Sequence, residues 1–134
     1  MARIEQVVAG ERFMGIFSGY TGTGKTIAAA SFPKPMYIFD FDGRIRPIPT
    51  YYPGITGIEF DTYGVSKHPP NDILRYGMKD MNDFRNKMEG LSKSCPYKTV
   101  VLDSLTSFCM TTINHMVSSR GRAGKLLGGF KVPE

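Results

Sequence analysis

Residues 12–32 read RFMGIFSGYTGTGKTIAAASF, and the order of residue types in this stretch decides the fold. Residues 12–18, RFMGIFS, are a short, nearly continuous apolar run that ends at a glycine, the pattern of a strand buried on both faces. Residues 27–32 favour a short helix, which Pro33 and Pro35 stop because proline lacks the N–H and clashes with the preceding turn. Between them stands Gly19-Tyr20-Thr21-Gly22-Thr23-Gly24-Lys25-Thr26, which fits G-x-x-x-x-G-K-[ST] with the required strand before it and helix after it.

That spacing has a physical reason. Glycines at 19, 22 and 24 let the backbone turn tightly, so that successive N–H groups point inward at phosphate oxygens. The N-terminus of the following helix adds its partial positive charge at the same spot. Lys25 is placed to reach the β- and γ-phosphates, and the Thr26 hydroxyl to ligate magnesium. The eight residues Gly19, Tyr20, Thr21, Gly22, Thr23, Gly24, Lys25 and Thr26 are therefore expected to cradle a nucleoside triphosphate with Mg2+, its base left unspecified. The bland alternative is a glycine-rich turn that happens to match.

Outward from the loop, residues 36–41, MYIFDF, have the length and the aromatic and β-branched content of a second buried strand. Residues 42–64 are rich in Gly, Pro and Tyr and read as an irregular excursion with a brief strand at 55–60. Met78, Met81, Phe84, Met88 and Leu91 recur at spacings of three and four, one apolar stripe along a helix, with the methionines as core filler. Residues 97–103, YKTVVLD, form a third strand ending at Asp103, where a nucleotide site needs an acid to hold magnesium directly or through water; a strand-end helix cap is the plainer role for it. Ser104 is placed to cap the next helix, whose stripe of Leu105, Phe108, Cys109, Thr112, Ile113, Met116 and Val117 should face the core. After Ser119 the pattern dissolves. Alternating strands and helices predict an α/β fold, a parallel sheet flanked by helices, because parallel neighbours need crossovers.

Composition narrows the class. No apolar stretch approaches the roughly 20 residues needed to cross a bilayer, so a soluble, cytoplasmic protein with no membrane partner is expected. Cys95 and Cys109 are too few for a disulfide scaffold and stand in no metal-type spacing with His68 or His115; Cys109 is expected to be a small buried hydrophobe. The net charge of +5 is concentrated toward the C-terminus, where Arg120, Arg122, Lys125 and Lys131 lie in a stretch without acids. This tail, residues 119–134 of a single nucleotide-binding domain spanning 1–134, is either a phosphate-facing patch or solvated surface.

GYTGTGKTIAAASFPKPMYIFDFD at 19–42 and YKTVVLDSLTSF at 97–108 resemble bacteriophage RecA-like P-loop ATPases of the AAA-domain type, associated with single-strand annealing and recombination. The specific likeness covers under half of the chain. It implies ATP hydrolysis with Mg2+ in phage DNA recombination or replication, in the host cytoplasm. Single-stranded DNA, further copies of the chain or recombination proteins are the implied partners. In that family the general base ends the strand after the P-loop helix, which points to Asp42 or Asp40, although the family usually carries glutamate there. Ser104 stands where AAA+ proteins generally place a catalytic glutamate. The family also has a later strand between the P-loop and Walker B strands, and nothing after Val117 reads as one. The chain is therefore expected to be an N-terminal portion with an incomplete core, an ATPase once completed. Two other readings stay open. One is a nucleotide kinase using Arg44 and Arg46, and the other a non-catalytic nucleotide-binding module. Tyr20, Tyr51 and Tyr52 could stack on a base or simply pack.

Overall fold

Strand β1 (Met36–Asp40) is buried at all five positions and forms the centre of a three-stranded sheet. The computed structural model describes residues 13–64 and 73–127, with the backbone alone for 73–78 and 118–127. β2 (Ile58–Thr62) pairs with one edge of β1 and β3 (Thr99–Asp103) with the other, both parallel, giving the order β2-β1-β3. The register sets Asp40 level with Thr62 on one side and Asp103 on the other, so the three carboxyl ends are flush.

Because side chains alternate along a strand, β1 feeds two cores. Met36 and Ile38 pack with Ala30 and Ile48, on the side of α1 (Lys25–Ala29) and α2 (Pro47–Tyr51). Tyr37, Phe39 and Phe41 point the other way, against α3 (Ile73–Lys93) and α4 (Leu105–Leu127). There Phe84 and Phe108 close an aromatic cluster, with Phe39 and Phe84 centroids 4.9 Å apart and Phe84 and Phe108 5.1 Å apart. Asp80, buried on α3, accepts from the Gly64 N–H at 2.9 Å and ties that helix to the exit of β2. The expected α/β class, a parallel sheet flanked by helices, is the one observed. No helix among the described residues is long and apolar enough to cross a membrane.

Several local expectations are corrected. The strand expected at 12–18 is absent over residues 13–18, which are irregular and exposed, Met14 at 94% and Ile16 at 85%. Among the described residues, ring contacts hold this segment, with Phe13 and Phe17 lying 6.2 and 5.8 Å from Phe32. Apolar residues make burial favourable, but a strand also needs a neighbour to satisfy its backbone, and no described strand borders the outer edge of β3. Within the expected irregular excursion, α2 forms: proline at its first position is pre-set for a helix start, and Ile48 anchors it. The strand placed at 55–60 falls at 58–62 instead.

On α4 most of the expected apolar stripe faces outward, while Phe108 packs into the core aromatic cluster. Leu105, Ile113, Met116 and Val117 are each at least half exposed, and Cys109, expected buried, is exposed too. The buried position is Thr111, whose hydroxyl donates to the Ser107 carbonyl at 2.9 Å, as Thr112 does to Phe108. These internal bonds let threonines pack inward without stranded polar groups. The helix also continues through 119–127, where the sequence pattern had ended. On α3, Met88 is 43% exposed and is not core filler; the Met78 side chain lies outside those described.

Candidate functional site

The carboxyl ends of β1 and β3 meet the loop that precedes α1. Within that loop Gly22 and Gly24 take φ of 85° and 80°, left-handed values that a residue with a Cβ adopts only at a cost. The Thr23 hydroxyl donates to the Tyr20 carbonyl at 2.8 Å and pins the turn. The Lys25 ammonium lies across the loop and donates to the carbonyls of Gly19 at 2.9 Å and Tyr20 at 2.8 Å. The next residue reaches across the fold: the Thr26 hydroxyl donates to Asp103 Oδ2 at 2.5 Å, joining the start of α1 to the end of β3. Thr26 and Asp103, chosen independently from sequence, are thus in contact.

The two other acids differ in how they are held. Asp40 is 1% exposed. Its Oδ1 accepts the Gly43 and Arg44 N–H groups at 2.7 and 3.3 Å, and its Oδ2 accepts the Thr62 hydroxyl at 3.3 Å. Burial pushes its pKa above the ordinary value, against the pull of these bonds, and the neighbouring Asp103 charge pushes the same way. Asp42 is partly buried, and its Oδ1 accepts from the hydroxyls of Ser104, at 3.0 Å, and Ser107. Among the described residues its Oδ2 has no hydrogen-bond partner. Ser104 also accepts the Ser107 N–H at 3.3 Å, the expected cap of α4.

Some sequence candidates stay apart from this cluster. Tyr20 and Tyr51 are exposed at 89% and 69%, and Tyr52 donates to the Ile27 carbonyl at 3.4 Å, a packing role. The side chains of Arg120, Arg122 and Lys125, and all of Lys131, lie outside the described residues. Thr62 and Ser107 were not singled out from sequence. Ser107 had a readable signal, three residues after a cap, whereas Thr62 becomes a partner only through the β1–β2 register.

Chemically, the loop offers backbone donors and an ammonium suited to phosphate, beside a hydroxyl and a carboxylate suited to a hard cation. No group of three or more His, Cys, Asp or Glu among the described residues could hold a metal. Residues 12–129 match the family model described as AAA domain. No curated protein and no solved structure matches the chain.

Proposed function

The chain belongs to the AAA domain family of nucleotide-binding ATPases, and from that premise we propose that it binds Mg-ATP on residues 19–26 and hydrolyses it in a RecA-like DNA transaction, phage recombination or replication. The observation that supports this best is the 2.5 Å bond from Thr26 to Asp103, which pairs a hydroxyl and a carboxylate at the mouth of a glycine-rich loop. Thr26 and Asp103 would hold magnesium, which would supply positive charge against the negative charge that builds up on the phosphates. Lys25 would exchange two loop carbonyls for β- and γ-phosphate oxygens, stronger partners because they are anionic.

Asp42 is the residue we assign as general base. Ser104 and Ser107 fix one of its oxygens and leave the other to orient a water. Asp40, closed in by three donors, shapes the 43–44 turn beside Asp42 and is assigned a positioning role. The basic C-terminal surplus supports single-stranded DNA as partner. Among the described residues no strand borders the outer edge of β3, which supports a working form whose sheet is extended by further strands or by association with another copy.

Calorimetry with ATP tests the assignment. Lys25→Ala should cost about 1.5–3 kcal/mol of binding, the worth of a charge-assisted hydrogen bond. Thr26→Ala and Asp103→Asn should weaken binding with Mg2+ present and change it little in EDTA. Unchanged affinity in Lys25→Ala, or equal losses with and without the metal, would overturn the site.

A further inference from the structure

A second pocket opens on the same face of the sheet, one strand further from the P-loop. It has a volume of about 480 Å³, within the range of roughly 300–1,000 Å³ typical of small-molecule clefts, and Asp40, Arg46, Pro49, Phe60 and Thr62 are among its walls. The strand register explains its composition. Phe60 stands level with Ile38 and Thr62 with Asp40, so both side chains share the face on which α1 and α2 lie. Neither helix covers Phe60, which is 50% exposed and makes no ring contact with another described aromatic. Arg46 enters from the start of α2, and its guanidinium makes no hydrogen bond or ion pair among the described residues.

The chemistry of these walls selects a ligand. A half-bare aromatic ring offers a stacking face for a planar group. An unpaired guanidinium offers a fork of donors that fits a phosphate. The Thr62 hydroxyl, already donating to Asp40, still has oxygen lone pairs to accept with. Pro49 gives an apolar wall. Asp40 is the shared partition, because on its other side it stands level with Asp103, which holds Thr26. We infer that this pocket binds one nucleoside monophosphate unit, its base on Phe60 and its phosphate on Arg46, at a site separate from the P-loop. That unit comes either as a free mononucleotide or as one residue of a single strand.

The test uses the full chain saturated with the non-hydrolysable Mg-AMPPNP, so that the P-loop is filled. Thymidine 5′-monophosphate and a short oligothymidylate are then titrated in separate experiments. Phe60→Leu keeps the apolar bulk and removes the stacking face; it should weaken both probes on the order of 10-fold. Phe60→Tyr should restore binding, and thermal unfolding of each variant checks that the fold is retained. Arg46→Gln should also weaken both, and for the strand should flatten the plot of log affinity against log salt by about 0.7. Monophosphate binding as tightly as the strand identifies a free mononucleotide as the ligand; tighter strand binding with a steeper salt slope identifies a nucleic-acid residue. Either result supports the pocket. Failure of both probes to bind, or binding unaffected by either substitution, would overturn it. Because the P-loop is filled by the analogue, its own failure would appear first, as absence of saturation.

Discussion

Residues 36–41 and residues 13–18 are apolar runs of the same length, and from sequence both read as buried strands. In the fold Met36, Tyr37, Ile38, Phe39 and Phe41 are at most 1% exposed, while Phe13, Met14 and Ile16 are at least 78% exposed. Their neighbours make the difference. β1 has a hydrogen-bonded strand on each edge and helices on both faces; residues 13–18 have little beyond the ring of Phe32. Composition sets how much a segment gains by burial, and topology sets whether anything is there to bury it. Among the described residues the glycine-rich loop is anchored chiefly on its C-terminal side, by the bond from Thr26 to Asp103 and the packing of Ile27 and Ala30.

The largest test of this contrast is a pair of truncations. Phe39→Ala should cost about 3–5 kcal/mol, since it empties a site packed on all sides. Ile16→Ala should stay within about 0.5 kcal/mol of the parent, as exposed positions do. Urea denaturation reads both. A loss at Ile16 comparable to that at Phe39 would mean that 13–18 is buried in solution and the contrast false.

A second test concerns charge. β1 ends by burying a carboxyl whose folded pKa lies above its unfolded value of 3.8. A raised carboxyl pKa contributes stability below the unfolded value, and that contribution is lost as pH rises through the folded one, because the native state holds the proton longer. Asp40 should therefore lower the melting temperature as pH climbs from about 3.8 upward. Asp40→Asn keeps an acceptor for Gly43 and Arg44 and should flatten that fall, a change of a few degrees at most (about 4–8 °C per kcal/mol for a domain of this size). An unaltered pH profile in the variant would remove the carboxyl from the account.

The smallest expected effect on stability is on α4. Ile113→Glu, on the outward stripe, should leave unfolding within about 0.5 kcal/mol of the parent. It should also reduce concentration-dependent self-association in size-exclusion chromatography, since exposed apolar patches drive contacts between copies. A strongly destabilised variant would show that the stripe is covered after all.

How much could be read beforehand follows the same divide. The turn at Gly22 and Gly24 was legible because its spacing demands positive φ, and the end of β3 because an acid closing an apolar run stands out. The helical period of α4 was legible too. Which side it buries was not, because Thr111 is chosen by what α3 presents and by its own bond to Ser107. Thr62, Phe60 and Arg46 carry no local pattern at all; they become neighbours through the β1–β2 register and the unexpected α2.

The bond between Thr26 and Asp103 joins residues 77 apart in sequence. During synthesis the glycine-rich loop emerges first, and its partner only after two strands and three helices have followed. Long-separation contacts form late, since the entropy of closing so large a loop must be met before they stabilise anything. On the proposed reading, the residues that would hold magnesium come together only when β3, the last of the described strands in chain order, joins the sheet. A nascent chain would then gain its grip on a metal-bound nucleotide at the moment its sheet acquires β3, and folding would time the onset of function.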